Sequence, residues 1–153
     1  MPEPDSRLPD WQRAHGAPLF RARIKQSPAD FEVTEELGFD LSDDGEHDFL
    51  WIEKRGANTA WVARQLARHA GVPAKDVGYA GLKDRHAVTR QWFSVRRPSG
   101  AGTDWEAIEI AGVRILATGR NRRKLRRGAP VSYTHLTLPT SSVMCRYRWS
   151  PYH

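Results

Sequence analysis

Downstream of Phe20 the apolar and polar residues fall into a two-residue rhythm broken by turns. RARIK alternates. After a turn at Ser27-Pro28, Phe31, Val33 and, past a pair of glutamates, Leu37 are the apolar positions, so both runs predict strands. An acidic loop, GFDLSDDGEH, separates them from DFLWIEK, a third and stronger strand. The period then changes. Val62, Leu66 and Ala70 stand four apart with Trp61 beside them, which predicts a helix capped at Asn58 and stopped by Gly71 and Pro73. Val77 to Ala80 and Gln91 to Val95 are short strand candidates flanking a charged turn. RPSGAGTD reads as a loop, and Ala107 to Thr118 holds one or two strands, VRILAT the clearer. Many strands and one good helix predict an α+β (mixed α/β) domain with a largely antiparallel or mixed sheet.

The chain has 153 residues, the size of one domain or a piece of a larger protein. Hydrophobic residues make up 39% and charged residues 27%, enough for a modest core. Residues 1–19, rich in Pro, Asp and Arg, form a polar leader, and 20–130 carry the regular pattern. From Val131 the character changes: VSYTHLTLPTSSVMCRYRWSPYH has no acidic residue and holds the single cysteine, Cys145. Its first ten residues resemble the conceptual translation of a transposon-based sequencing adapter, so 131–153 is expected to be a non-native tail.

One cysteine excludes an internal disulfide framework and a thiolate metal cluster. The first residues lack the apolar core of a signal peptide, and no apolar run approaches the ~18 residues of a membrane span. A cytoplasmic protein without a membrane partner is expected, monomeric by default. The formal charge of +6 favours polyanionic partners. Its densest part is RNRRKLRR: Arg120, Arg122, Arg123, Lys124, Arg126 and Arg127. Such a run is either a solvated loop or a phosphate-binding patch that sets affinity without reading sequence.

The chemistry concentrates in GYAGLKDRHAVTRQWFSV, residues 78–95, where Asp84 stands among Lys83, Arg85 and His86. In isolation such an aspartate is most simply a turn residue. A metal site from Asp84, His86 and His47 has no ligand spacing to support it. A glycosidase pair with Glu32, Glu35 or Glu36 depends on separations in space. A lone reactive carboxylate needs nearby cations to keep it ionised, strand ends to fix it and room for a substrate, which Gly81 would provide. This segment offers all three.

VGYAGLKDRHAVTRQWFSV also resembles the signature of the tRNA pseudouridine synthase D family. Pro28, Asp30, Phe31, Val33 and Glu35 match its amino-terminal Pro-x-Asp-Phe-x-Val-x-Glu motif. GEHDFLWIEKRGANTAWVARQLAR and RKLRRGA fit two further segments, so the likeness runs in order from about Phe20 to Ala129. The resemblance implies part of a mixed α/β catalytic domain and an isomerase that converts uridine to pseudouridine at uracil-13 of tRNA, with no cofactor and no metal. Asp84 matches the catalytic aspartate and Phe31 the substrate-contacting phenylalanine, a ring suited to stack on a uracil drawn out of its helix. Attack on the ribose and elimination started at the ribose both stay open. From charge alone, Lys25, Lys83, Arg85 and the cations of 120–127 are expected to meet phosphates or hold Asp84 ionised. Where the family continues Leu-Lys-Gly-Asn-x-Phe, this chain has Pro130 and then Val131 to His135, so a substrate-binding asparagine is missing. The expectation is an amino-terminal fragment, inactive alone. The alternative is a small basic RNA-binding module without catalysis.

Overall fold

The computed structural model describes residues 27–97 and 102–136. The polar leader, the RARIK strand candidate, Lys25 and the tail beyond 136 lie outside them. A short 3-10 turn at Pro28–Asp30 leads into β1 (Phe31–Glu36), followed by β2 (His47–Arg55) and α1 (Thr59–Ala70). A second 3-10 turn precedes β3 (Val77–Tyr79), β4 (Val88–Arg96), β5 (Val113–Asn121) and β6 (Val131–Leu136). The strands form one mixed sheet in the order β5-β2-β4-β1-β6, with β3 also paired to β4.

β4 organises the sheet. Along one edge it pairs antiparallel with β2 over nine positions, His47↔Arg96 to Arg55↔Val88. Its other edge is divided: the first half runs parallel to β1 (Glu32↔Val88 to Thr34↔Arg90), and the second pairs antiparallel with β3 (Val77↔Val95 to Tyr79↔Phe93). Trp92 sits at the junction, where its N–H meets the Glu35 carboxylate at 2.8 Å instead of a strand.

The helix forms as its spacing predicts. Val62, Leu66 and Ala70 are buried with Thr59, Ala63 and Ala67, one stripe along the helix. Gly71 ends it at φ 66°, a left-handed conformation that suits glycine. Asn58 occupies the N-cap position without a side-chain capping bond. The stripe packs on Leu50, Ile52, Phe93 and Val95 to make the core. On a strand, alternate residues share a face, so Lys54 follows Leu50 and Ile52 onto the helix side. The opposite face carries Trp51 against Trp92, ring centroids 5.1 Å apart.

β4 and β5 are longer than their predicted cores. β5 continues through Asn121 into the basic run because β2 supplies an antiparallel template as far as His47. β6 has no counterpart among the predicted strands, since it falls in the segment expected to be a non-native tail. It pairs with β1 along six positions, Phe31↔Leu136 to Glu36↔Val131. Pairing at an open edge uses backbone groups that every extended segment has, and the side chains of Val131 to His135 are exposed.

Candidate active site

Asp84 lies in the loop between β3 and β4, and several ties fix the loop's backbone to the helix side of the sheet. The Lys83 N–H donates to Thr59 Oγ1 (3.0 Å), whose hydroxyl in turn donates to Gln91 Oε1 (3.1 Å). Lys54 Nζ donates to the carbonyls of Asp84 (3.0 Å) and Lys83 (3.4 Å), and to that of Ala57 (2.9 Å) in the β2–α1 turn. The Asp84 side chain is set by a local turn in which Oδ1 accepts the His86 N–H at 2.9 Å. Thr59 is the first residue of α1, so the positive end of the helix dipole adjoins this loop.

Lys83 turns inward. Its ammonium stands 3.2 Å from Glu35 Oε1, with side chains 12% and 0% exposed. The contact is an ion pair without hydrogen-bond alignment. Lys83, expected at an RNA phosphate or beside Asp84, is thus committed to a buried carboxylate. Arg85 is exposed and uses Nε on the Gly56 carbonyl (3.2 Å). Burial pushes Lys54 down to about 8, against the pull of Asp84, which favours its charged form. Thr89 Oγ1 and Gln91 Nε2 are buried on the same face without a partner among the described residues, a polar floor beneath the loop.

Phe31 comes to the same end of the sheet. It precedes Glu32, which pairs with Val88, four residues after Asp84. Parallel pairing of β1 with β4 brings both strand starts together, and Phe31 is part-exposed there. The Ser27 N–H and hydroxyl both bond the Asp30 carboxylate, at 2.9 and 3.1 Å, which fixes the turn leading into Phe31. A Cβ on Gly81 would meet nothing within 4 Å, so that side of the loop is open.

The alternative groupings around Asp84, a metal site and a carboxylate pair, are not assembled among the described residues. His47 pairs with Arg96 at the far end of β4, a sheet's length from His86 and Asp84. Among the described residues no three His, Cys, Asp or Glu gather as a metal site. Glu35 binds Lys83 and the Trp92 N–H, and Glu32 pairs with Arg90 at 3.3 Å, which leaves neither placed as a general acid facing Asp84. The basic run is also remote. Leu125 N–H donates to Ser94 Oγ (3.0 Å), six residues along β4 from Val88, about 20 Å at about 3.3 Å per residue. Arg122 forks onto Asp44 (2.6–2.9 Å), Arg120 bonds the Gly45 carbonyl (2.9 Å), and Lys124 bonds that of Lys75. Arg123, Arg126 and Arg127 are exposed.

Sequence reading missed Lys54, Thr59 and Gln91. The signal for Lys54 was present, because it continues the inward series Leu50, Ile52. Thr59 and Gln91 meet only through tertiary packing.

A family model described as tRNA pseudouridine synthase D (TruD) matches residues 14–131. The chain belongs to this family. A tRNA pseudouridine synthase D of Cellvibrio japonicus is 48% identical over 139 residues, covering 89% of this chain and 41% of that protein. One from Methylococcus capsulatus is 56% identical over 120 residues, covering 78% and 34%. The chain thus spans about a third to two fifths of the length of these relatives. A crystal structure described as a tRNA pseudouridine synthase D from Methanosarcina mazei matches with a TM-score of 0.62 and 26% identity, covering 71% of this chain and 24% of the other. The family match stops at Val131, where the composition changes.

Proposed function

We propose that the full-length protein, of a length like its relatives, isomerises uridine to pseudouridine at uracil-13 of tRNA, with Asp84 as the reacting carboxylate. The bond from N1 to the ribose breaks, the base turns, and C5 takes the bond. The C5 proton is lost and N1 gains one, so neither oxidant nor cofactor is needed. What carries the reading is the fixed position of Asp84, in a loop tied to Lys54, Thr59 and Glu35, at the sheet end where β1 brings Phe31. The open side at Gly81 leaves room for a base, and the Phe31 ring stacks on it, recovering part of the unstacking cost. Family membership favours this over a basic module without catalysis.

RNA phosphates are assigned to Arg85 near the reacting group and to Arg123, Lys124, Arg126 and Arg127 at the far end, with Lys25 as a further candidate. The 153-residue chain alone is expected to be inactive, as it covers only the first part of its relatives' sequence. Asp84→Asn in the full-length protein should abolish pseudouridine formation while tRNA affinity stays within about threefold, since phosphate contacts dominate binding. Near-normal turnover in that variant would remove Asp84 from its role. No pseudouridine on any tRNA from the unsubstituted protein, despite binding, would favour the module.

A further inference from the structure

Lys54 is fully buried, an unusual place for an ammonium. A charge there is tolerated only when its hydrogen bonds are satisfied, and all three of its donors have an acceptor. Two of these are the consecutive carbonyls of Lys83 and Asp84, some thirty residues away, and the third, Ala57, anchors the set to the β2–α1 turn. A lysine serving only to fill the core could be replaced by methionine with no bonds to satisfy. Here the bonds converge on the loop that carries the reactive group.

We propose that Lys54 is a positioning residue for the reaction assigned above: its ammonium clamps the Lys83–Asp84 backbone to the β2–α1 turn and places positive charge beneath the Asp84 carboxylate. The catalytic half rests on the Asp84 reading, whereas the clamp stands on the three bonds alone. The charged groups facing Lys54 are Asp84, which favours its protonated state, and Lys83, which opposes it. Lys83 is itself held by Glu35, so it cannot take over the clamp. A neutral amine keeps two donors of three. The clamp therefore weakens as pH rises through about 8, where Lys54 loses its proton.

The test uses the full-length protein and two readouts. Hydrogen-exchange protection of the amides of residues 83–86, relative to intrinsic rates, should fall about tenfold or more in Lys54→Met at pH 7. It should fall in the unsubstituted protein between pH 7 and pH 9.5, which needs no variant to fold. Pseudouridine formation by Lys54→Met should lose about a hundredfold in kcat, the usual cost of a displaced catalytic group, with tRNA Kd unchanged. Lys54→Arg, which keeps the charge, should recover part of both. Unchanged protection in the variant and across that pH range overturns the clamp. Lost protection with unchanged kcat overturns the positioning role and leaves Lys54 a structural residue. Should the unsubstituted protein form no pseudouridine, the functional reading and the catalytic half fall together, and exchange alone decides the clamp.

Discussion

Glu35 shows how one side chain can serve two elements. Its carboxylate meets the Trp92 N–H that the divided edge of β4 leaves over, and also the Lys83 ammonium. Lys83 is thereby drawn inward from the surface, and the loop holding Asp84 gains a buried anchor. Removing one partner of such a pair leaves the other uncompensated, which typically costs several kcal/mol. His47, at the other end of the sheet, gives a pH signature. Burial lowers its proton affinity below the usual 6.5, outweighing Glu46, which pulls the other way. The unfolded chain therefore binds a proton that the fold resists, and the contribution of His47 to stability, complete above about pH 6.5, is lost as pH falls below it. Denaturant unfolding midpoints measured from pH 7.5 to 5 should drop less steeply in His47→Gln than in the parent. Parallel curves would show that His47 does not set the slope.

Among the elements, β3 depends on a glycine for a reason its own pattern does not reveal. A Cβ on Gly78 would lie 2.6 Å from Ser94 Oγ and 2.7 Å from the Leu125 carbonyl, because the segment after β5 crosses here. Gly78→Ala should therefore cost about 1–3 kcal/mol, the range for overpacking, measured by denaturant unfolding of the full-length protein. It should also loosen the Leu125 amide, which bonds Ser94. A neutral result would mean that the crossing segment moves aside freely. The basic segment is thus partly structural. Arg120 and Arg122 bind the acidic loop around Asp44 and Gly45, and opposite charge docks one loop on the other.

Across the whole molecule, the Asp84 loop leads into the start of β4 and the basic run lies towards its far end, where Leu125 meets Ser94, six residues or about 20 Å along the strand from Val88. Under the proposed function, the far arginines hold RNA phosphates without touching the reacting uridine. Reversing Arg123, Arg126 and Arg127 to glutamate should weaken tRNA binding and reduce the slope of log affinity against log salt by roughly 0.7–0.9 for each phosphate that is no longer neutralised. The kcat at saturating tRNA should change little. An unchanged affinity and slope would make the segment a solvated loop, and a collapse of kcat with intact binding would place it nearer the chemistry than the fold suggests.

The sequence by itself determined the elements whose period is locally written. α1 is legible because Val62, Leu66 and Ala70 repeat at the helical period and Gly71 stops it. β1 is legible because its apolar residues alternate, and β2 because Phe49 to Ile52 form a short apolar run rich in aromatic and branched residues. Asp84 and Phe31 stand out through motifs that fall within short stretches of chain. Only the tertiary structure decided who meets whom: parallel pairing joined the starts of β1 and β4, and helix packing set Thr59 under Lys83. It also turned Lys83 inward towards Glu35 and carried the arginine run to the far end of β4. Periodicity records which face of an element is apolar. The partner of a buried charge depends on strand order and register, which are fixed by contacts between residues distant in the chain.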